Sequence, residues 1–226
     1  MSNYGPYSYS RMATFKKCPL KFKFAYVDKL DIPFIPSPAM ERGSAVHDTL
    51  EQFMNGTSEM LHPDIHQHYG QYFFGLREEH KGHLEPEAKW GLSWDMTPCE
   101  YDSPDCMVRG FMDLRFVPPE EKVAEVFEYK TGKRYPEHTH QQWLYGVATL
   151  AKHPLKDGVN VTAIYLDQKK NNKIYYPQSM MFEYRPALLR EIMEIEDTKP
   201  EDMIPMPSFM CRYCQFSKGN GGPCQF

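Results

Sequence analysis

Val108-Arg-Gly-Phe-Met-Asp113-Leu-Arg-Phe-Val117, a Pro118-Pro-Glu-Glu-Lys122 break, then Val123-Ala-Glu-Val-Phe-Glu128-Tyr-Lys130-Thr-Gly132 is the stretch whose reading decides the fold. Two apolar segments flank a polar turn containing prolines, the pattern of a β-hairpin with a loop longer than two residues. Residues two apart on a strand share a face, so Glu128 and Lys130 point the same way. If the register brings Asp113 opposite them, two carboxylates and one ammonium meet on one surface. Such a cluster is costly without a compensating ion. A divalent cation is the natural compensation, and it points to metal-assisted phosphate chemistry. The plain alternative is a hairpin with an ordinary charged face. A one-residue slip of register would turn Asp113 away from Glu128.

The rest of the chain frames that hairpin. At 226 residues it is long enough for a substantial core, and it reads as globular rather than disordered. Its formal net charge of -4 argues mildly against nucleic-acid binding. A metal-loaded carboxylate site masks negative charge, however, and two local basic runs exist: Lys16, Lys17, Lys21 and Lys23, then Lys169, Lys170 and Lys173. Phe22, Phe24, Tyr175 and Tyr176 lie near those runs as candidates for base stacking, with core packing as their plainer role. The N-terminus lacks the apolar stretch of a secretory signal, and no apolar run is long enough to cross a membrane. A cytoplasmic protein is therefore expected, in which six cysteines read as thiols or metal ligands rather than disulfides.

The periodicities predict short helices over Arg11–Lys17, capped by Ser10, and over Pro19–Tyr26. A proline-rich connection follows, then helices over Ala39–Phe53, ended by Asn55-Gly56, and over Asp64–Glu79. A strand over Leu84–Trp94 precedes the hairpin, and a helix over Glu137–Lys152 follows it. Strands over Val159–Leu166 and Ile174–Tyr184 flank a turn at Asn171-Asn172. Pro186 opens a last helix over Ala187–Glu196, before a tail rich in Pro, Met and Cys. The order implies an α/β fold around a central mixed β-sheet flanked by helices.

Three further constellations bear on chemistry. His47 lies on the helix before the sheet, four residues from Glu51, and an imidazole accompanies carboxylates well around a catalytic ion. Gly43, one turn earlier, permits close approach of another backbone or of a nucleic-acid strand. Gln141 and Tyr145 sit one helical turn apart just after the hairpin, where an amide and a phenol can hold a phosphate without adding charge. Finally, Cys211-Arg-Tyr-Cys214 and Cys224 crowd a tail that needs a staple. Cys18, before Pro19, is the best fourth ligand, with Cys99 and Cys106 as alternatives. Both zinc and an iron–sulfur cluster take four thiolates. His62, His66, His68, His138 and His140 lie in polar stretches and read as surface histidines.

Taken together, these residues resemble the PD-(D/E)XK nuclease superfamily, and within it the RecB-like exonucleases with an iron–sulfur cluster, such as the AddB nuclease domain and the CRISPR-associated RecB-like nucleases. The resemblance spans nearly the whole chain. It rests on Ser8 to Phe22 with Cys18, Gly43-Ser-Ala-Val-His47, Gly110-Phe-Met-Asp113, Glu128-Tyr-Lys130-Thr-Gly132, Gln141-Gln-Trp-Leu-Tyr145, and Cys211, Cys214 and Cys224. One departure is the long Cys214–Cys224 spacing, which contains Gly219, Gly221 and Gly222.

The resemblance implies a restriction-endonuclease-like core in one nuclease domain, with a core at about 40–198 and cluster-binding segments at about 8–30 and 205–226. It implies that His47, Asp113, Glu128 and the Tyr129 carbonyl bind Mg2+ or Mn2+, that Lys130 activates the attacking water, and that Gln141 and Tyr145 contact the DNA strand. It implies a structural 4Fe-4S cluster on Cys18, Cys211, Cys214 and Cys224, with zinc as the lesser alternative. The expected activity is a DNA exonuclease acting on single-stranded ends in repair, recombination or phage genome metabolism, with a recombination or replication protein as a possible partner. A non-catalytic DNA-binding or partner-binding module, or a CRISPR-type spacer-processing nuclease, is the alternative.

Overall fold

A computed structural model describes residues 3–226. In chain order the elements are α1 (Tyr9–Lys17), α2 (Pro19–Phe22), α3 (Pro38–Met54), α4 (Pro63–Glu79), β1 (Leu84–Ser93), β2 (Cys106–Phe116), β3 (Val123–Lys130), α5 (His138–Lys152), β4 (Gly158–Tyr165), β5 (Lys170–Pro177) and α6 (Met181–Asp197). They form two compact units. One is Ser37–Arg185; the other joins the described residues through Pro36 to Pro186–Phe226.

The Ser37–Arg185 unit is built on a five-stranded mixed sheet in the order β1-β2-β3-β4-β5. All neighbours are antiparallel except β3 and β4, which run parallel. A parallel pair needs a crossover, and α5 supplies it. β4, between two partners, is buried along almost its whole length, as its Val-rich sequence requires. On one side of the sheet, α3 and α4 bury Val46, Leu50, Phe53, Ile65 and Phe73 against Leu114, Phe127, Tyr129 and Ile164. α5 meets the sheet elsewhere: Thr149 donates to the Met112 sulfur (3.6 Å) and Tyr145 lies edge-on to Trp90. Met112 and Leu114 are two apart, so on a regular strand they would share a face. Here Met112 meets α5, whereas Leu114 belongs to the cluster with α3 and α4.

Local chemistry sets the helix starts. Ser37 caps α3 by accepting from the Met40 N–H, and Pro38 takes the first helical position. Ser8, not Ser10, caps α1, so that helix begins earlier than its sequence suggests. The Pro19 helix keeps α geometry only to Phe22 and continues as a π turn over Lys23–Val27.

The strand expected at Ile174–Tyr184 is instead Lys170–Pro177, and Asn171 and Asn172 belong to it. The reason is tertiary. Buried Gln142 on α5 donates to the Asn172 and Val161 carbonyls and accepts from the Asn172 amide, which holds these turn-prone residues extended. The chain turns at Leu166–Lys169, where Lys169 takes a φ of 52°. α6 starts at Met181 and carries Pro186 inside it rather than at its start.

In the second unit, the two ends of the chain pack together. Phe22, fully buried, contacts Tyr4, Phe15 and Tyr26, while Phe24 meets Phe216. The Leu20 N–H donates to the Ile204 carbonyl (3.2 Å), and Gln215 donates to the Ile32 carbonyl (3.4 Å). Among the described residues no helix is long and apolar enough to cross a membrane.

Two expectations follow for stability. Phe73→Ala removes a ring with no solvent exposure that packs on Tyr69, Tyr72 and Tyr129, and urea unfolding should report a loss of about 3–5 kcal/mol. His153, at the C-terminus of α5, has its pKa lowered to about 4 by burial first and then by the charges of Arg115 and Lys152. The unfolded chain binds this proton more readily, so the contribution is complete above the ordinary value of 6.5 and is lost as pH falls toward 4. His153→Gln should flatten the stability-versus-pH curve across that window.

Candidate active site at the fork of the sheet

β2 and β3 pair over three residues only: Leu114↔Phe127, Arg115↔Val126 and Phe116↔Glu125. The next pair in that register is Asp113 with Glu128, and there the ladder stops. The N–H of Tyr129, left without a strand partner, donates to Asp113 Oδ2 at 2.5 Å. A carboxylate thus closes the fork in place of a backbone carbonyl.

The other Asp113 oxygen, Oδ1, is 3.2 Å from His47 Nδ1 on α3. Burial alone depresses the His47 pKa, but the Asp113 hydrogen bond and the charges of Asp113 and Glu128 outweigh it and raise it to about 9. α3 is fixed in place by Arg42, which reaches Asp167 (3.0 and 2.7 Å) and Asp64 (3.0 Å). Asp167 in turn accepts from the Gly132 N–H at 2.9 Å, just past the end of β3. Gly132 has a φ of 86°, a conformation that favours glycine. Gly43 does mark a close approach, but of protein: a Cβ there would lie 3.2 Å from Thr131 Oγ1.

Glu128 is 4 % exposed. Its Oε1 accepts from Lys130 Nζ (2.6 Å) and Gln141 Nε2 (2.9 Å). Lys130 also donates to Gln141 Oε1 (2.7 Å), and Gln141 Nε2 lies 2.8 Å from the Tyr145 hydroxyl. Desolvation, then the charge of Asp113, pushes the Glu128 pKa up; Lys130 opposes both. Glu128 Oε2 is buried and has no hydrogen-bond partner among the described residues. Carboxylate oxygens of Glu128 and Asp113 are the hard donors that a divalent cation takes.

Glu87 was not singled out from the sequence, yet it belongs here. His47, Glu87 and Asp113 each offer a ligand atom, and these lie within 4.8 Å of one another. Burial, followed by the charges of Asp113 and Glu51, raises the Glu87 pKa to about 7. Glu87 sits in an apolar-polar strand with no motif around it, and no spacing rule marks it. Only the pairing of β1 with β2 places it opposite Asp113, between Pro86↔Leu114 and Ala88↔Met112.

The remaining candidates separate clearly. Gln141 and Tyr145 are buried behind Lys130. Lys16 pairs with Glu191, Lys23 with Asp28, and Lys173 with Glu125. Phe22 and Tyr176 are core residues, whereas Tyr175 is half exposed. Cys18, Cys211, Cys214 and Cys224 are free thiols in one compact unit. Cys18 and Cys211 sulfurs accept the N–H groups of Lys21 (3.4 Å) and Ser208 (3.3 Å). Cys99 and Cys106 lie in the other unit and hydrogen-bond each other over Gly91; burial, then Cys99, pushes the Cys106 thiol up to about 12. His62 caps α4, and His138 stacks on Tyr165.

A mixed sheet whose central strands part at an aspartate, with a Glu-x-Lys beside it, defines a nuclease-type α/β protein with a restriction-endonuclease-like core. The chain belongs to the PD-(D/E)XK nuclease superfamily, hydrolytic enzymes whose family model matches residues 6–218. A crystal structure from Eubacterium rectale, named "Putative exonuclease", shares the fold: 13% identity, 93% of this chain and 87% of that one covered, TM-score 0.51. The crystal structure of SSO0001 overlaps 92% of this chain and 82% of its own at 13% identity, with a TM-score of 0.43. No curated protein matches the chain.

The His47–Asp113 contact makes a direct prediction. In protein stripped of divalent cations, Asp113→Asn should bring the His47 pKa down from about 9, read by NMR titration of the imidazole. An unchanged value would show that Asp113 is not its partner.

Proposed function

We propose that the protein is a divalent-cation-dependent deoxyribonuclease that degrades DNA from single-stranded ends. The observation that carries this reading is the connected set Asp113, Glu128, Lys130 and Gln141 at the fork, with one Glu128 oxygen left unpartnered. Membership of the nuclease superfamily supports the phosphodiester substrate. The exonuclease reading draws on the name of the Eubacterium rectale relative in fold and on the RecB-like motifs.

His47, Asp113, Glu128 and the Tyr129 carbonyl would hold Mg2+ or Mn2+, and the imidazole-and-carboxylate donor set suits such an ion. When bound, the ion supplies Lewis-acid polarisation of the phosphate and lowers the pKa of water. Lys130 presents a cation beside these carboxylates, where it orients the attacking water and offsets charge developing on the phosphate. Gln141 ties Lys130 to Glu128, and Tyr145 braces Gln141. Both act here by positioning, since their polar atoms face protein partners. The four cysteines of the terminal unit fit a structural metal centre: free thiols, two of them already accepting backbone N–H groups. We assign them a 4Fe-4S cluster that ties the N-terminal helices to the C-terminal tail.

Lys130→Ala should reduce cleavage of end-labelled single strands by about 10²-fold or more while DNA binding stays near wild type. Cleavage that survives this change defeats the site assignment, and digestion of circles but not linear strands defeats the exonuclease claim. Anaerobically purified protein should be brown, with a broad visible band; a colourless protein with stoichiometric zinc overturns the cluster.

A further inference from the structure

The stretch of sheet beside the fork carries a second cluster, of aromatic rings and cations. Trp90 pairs with Gly110, and its ring lies edge-on to Tyr145 of α5. Met112, two residues along β2 from Gly110, also meets α5. Lys89 and Phe111 pair with each other, each one residue from that row. They therefore face the opposite side of the sheet. That is the side from which His47 of α3 reaches Asp113. Phe111 stands two residues before Asp113, about 7 Å away along the strand. It lies past the cover of the helices: Phe111 is 39 % exposed, with Lys89 exposed beside it.

The loop between β1 and β2 completes the cluster. Gly91 lets that loop lie against the sheet, because a Cβ there would come within 2.9 Å of the Cys99 carbonyl oxygen. The Cys99 N–H donates to the Gly91 carbonyl at 3.0 Å. Further along the loop, the Arg109 guanidinium donates to the Tyr101 carbonyl (2.7 Å) and to Asp102 (3.1 Å), and it lies over the Tyr101 ring at 4.3 Å. Tyr101 is thereby held beside Phe111, with ring centres 4.9 Å apart. The Lys89 ammonium stands 5.5 Å from the Tyr101 ring and 6.0 Å from the Phe111 ring. Among the described residues it has no carboxylate partner. Exposed ring faces beside an uncompensated ammonium are complementary to a strand in which bases and phosphates alternate.

We propose that Lys89, Tyr101 and Phe111 form a subsite that grips single-stranded DNA next to the fork. Phe111 stacks on a base, Lys89 pairs with a phosphate, and Arg109 is a positioning residue that fixes Tyr101 against Phe111. This rests on the nuclease reading above and supplies its preference for single strands. In a duplex the bases are stacked on one another and offer no free face, whereas an unpaired base can be laid on an aromatic ring. Stacking is tolerant of sequence because every base has such a face, so the subsite selects strandedness rather than a base.

Fluorescence anisotropy of labelled single strands and duplex, with Mg2+ and in the full Lys130→Ala chain so that strands persist, tests this. Adding Phe111→Ala should weaken single-strand binding by about 10-fold and leave duplex binding unchanged. Phe111→Trp keeps a stacking face and should hold the affinity. Lys89→Ala should lower the slope of log affinity against log salt by about 0.7, the value for one phosphate contact on a single strand, while Phe111→Ala leaves that slope alone. A misfolded variant would lose single strands and duplex alike. In otherwise wild-type protein, Phe111→Ala should raise KM for single strands and spare kcat, as lost uniform binding does. Single-strand affinity and KM unmoved by Phe111→Ala, as for a patch that docks another protein, or equal losses on both substrates, overturn the subsite and spare the nuclease reading. A wild-type chain that cleaves no DNA, with a Lys130→Ala chain that binds none, sinks the nuclease reading itself.

Discussion

The hydrogen bond from the Tyr129 N–H to Asp113 Oδ2 is the constraint on which the site depends. A sheet normally satisfies each N–H with a carbonyl across the ladder. Here β2 and β3 separate after Leu114↔Phe127, and a side-chain carboxylate substitutes for the missing backbone acceptor. The substitution achieves two things together. It satisfies a buried donor that would otherwise cost stability, and it anchors an anion at a fixed height on the sheet, one oxygen on the Tyr129 N–H and the other on His47 of α3.

Around that anchor, charge is distributed by element. β3 carries Glu128 and Lys130 on one face, and the pair would be expensive to bury without further bonds. α5 meets that need through Gln141, which both donates to Glu128 and accepts from Lys130. α3 brings His47, held at its level by the Arg42–Asp167–Gly132 chain of contacts. Each helix therefore has a packing role and a polar role. The apolar faces of α3 and α4 cover Phe127 and Tyr129, while His47, midway along α3, reaches Asp113.

Much of this was legible along the chain. The hairpin, the α3 and α5 helices and the residues His47, Asp113, Glu128, Lys130, Gln141 and Tyr145 all stand in short, ordered motifs whose members sit on adjacent turns or alternate strand positions. Such local spacing survives folding unchanged. Other features were not legible. Asn171 and Asn172 have turn propensity, yet Gln142 on a distant helix holds them in β5. Glu87 joins the site only through a backbone twist and a strand pairing. Nor does the sequence show that Gln141 hydrogen-bonds both Lys130 and Glu128, with its amide also on the Tyr145 hydroxyl.

The sequence by itself determined the order of elements, the α/β class and the residue types of the site, because periodicity and side-chain chemistry are properties of the chain. Tertiary structure alone decided the register that sets Asp113 opposite Glu128, the point at which β2 and β3 part, and the entry of Glu87. These depend on which strands lie side by side and on where the ladder fails. A strand's own residues record which face each side chain takes, but not which residue on the neighbouring strand will stand across from it.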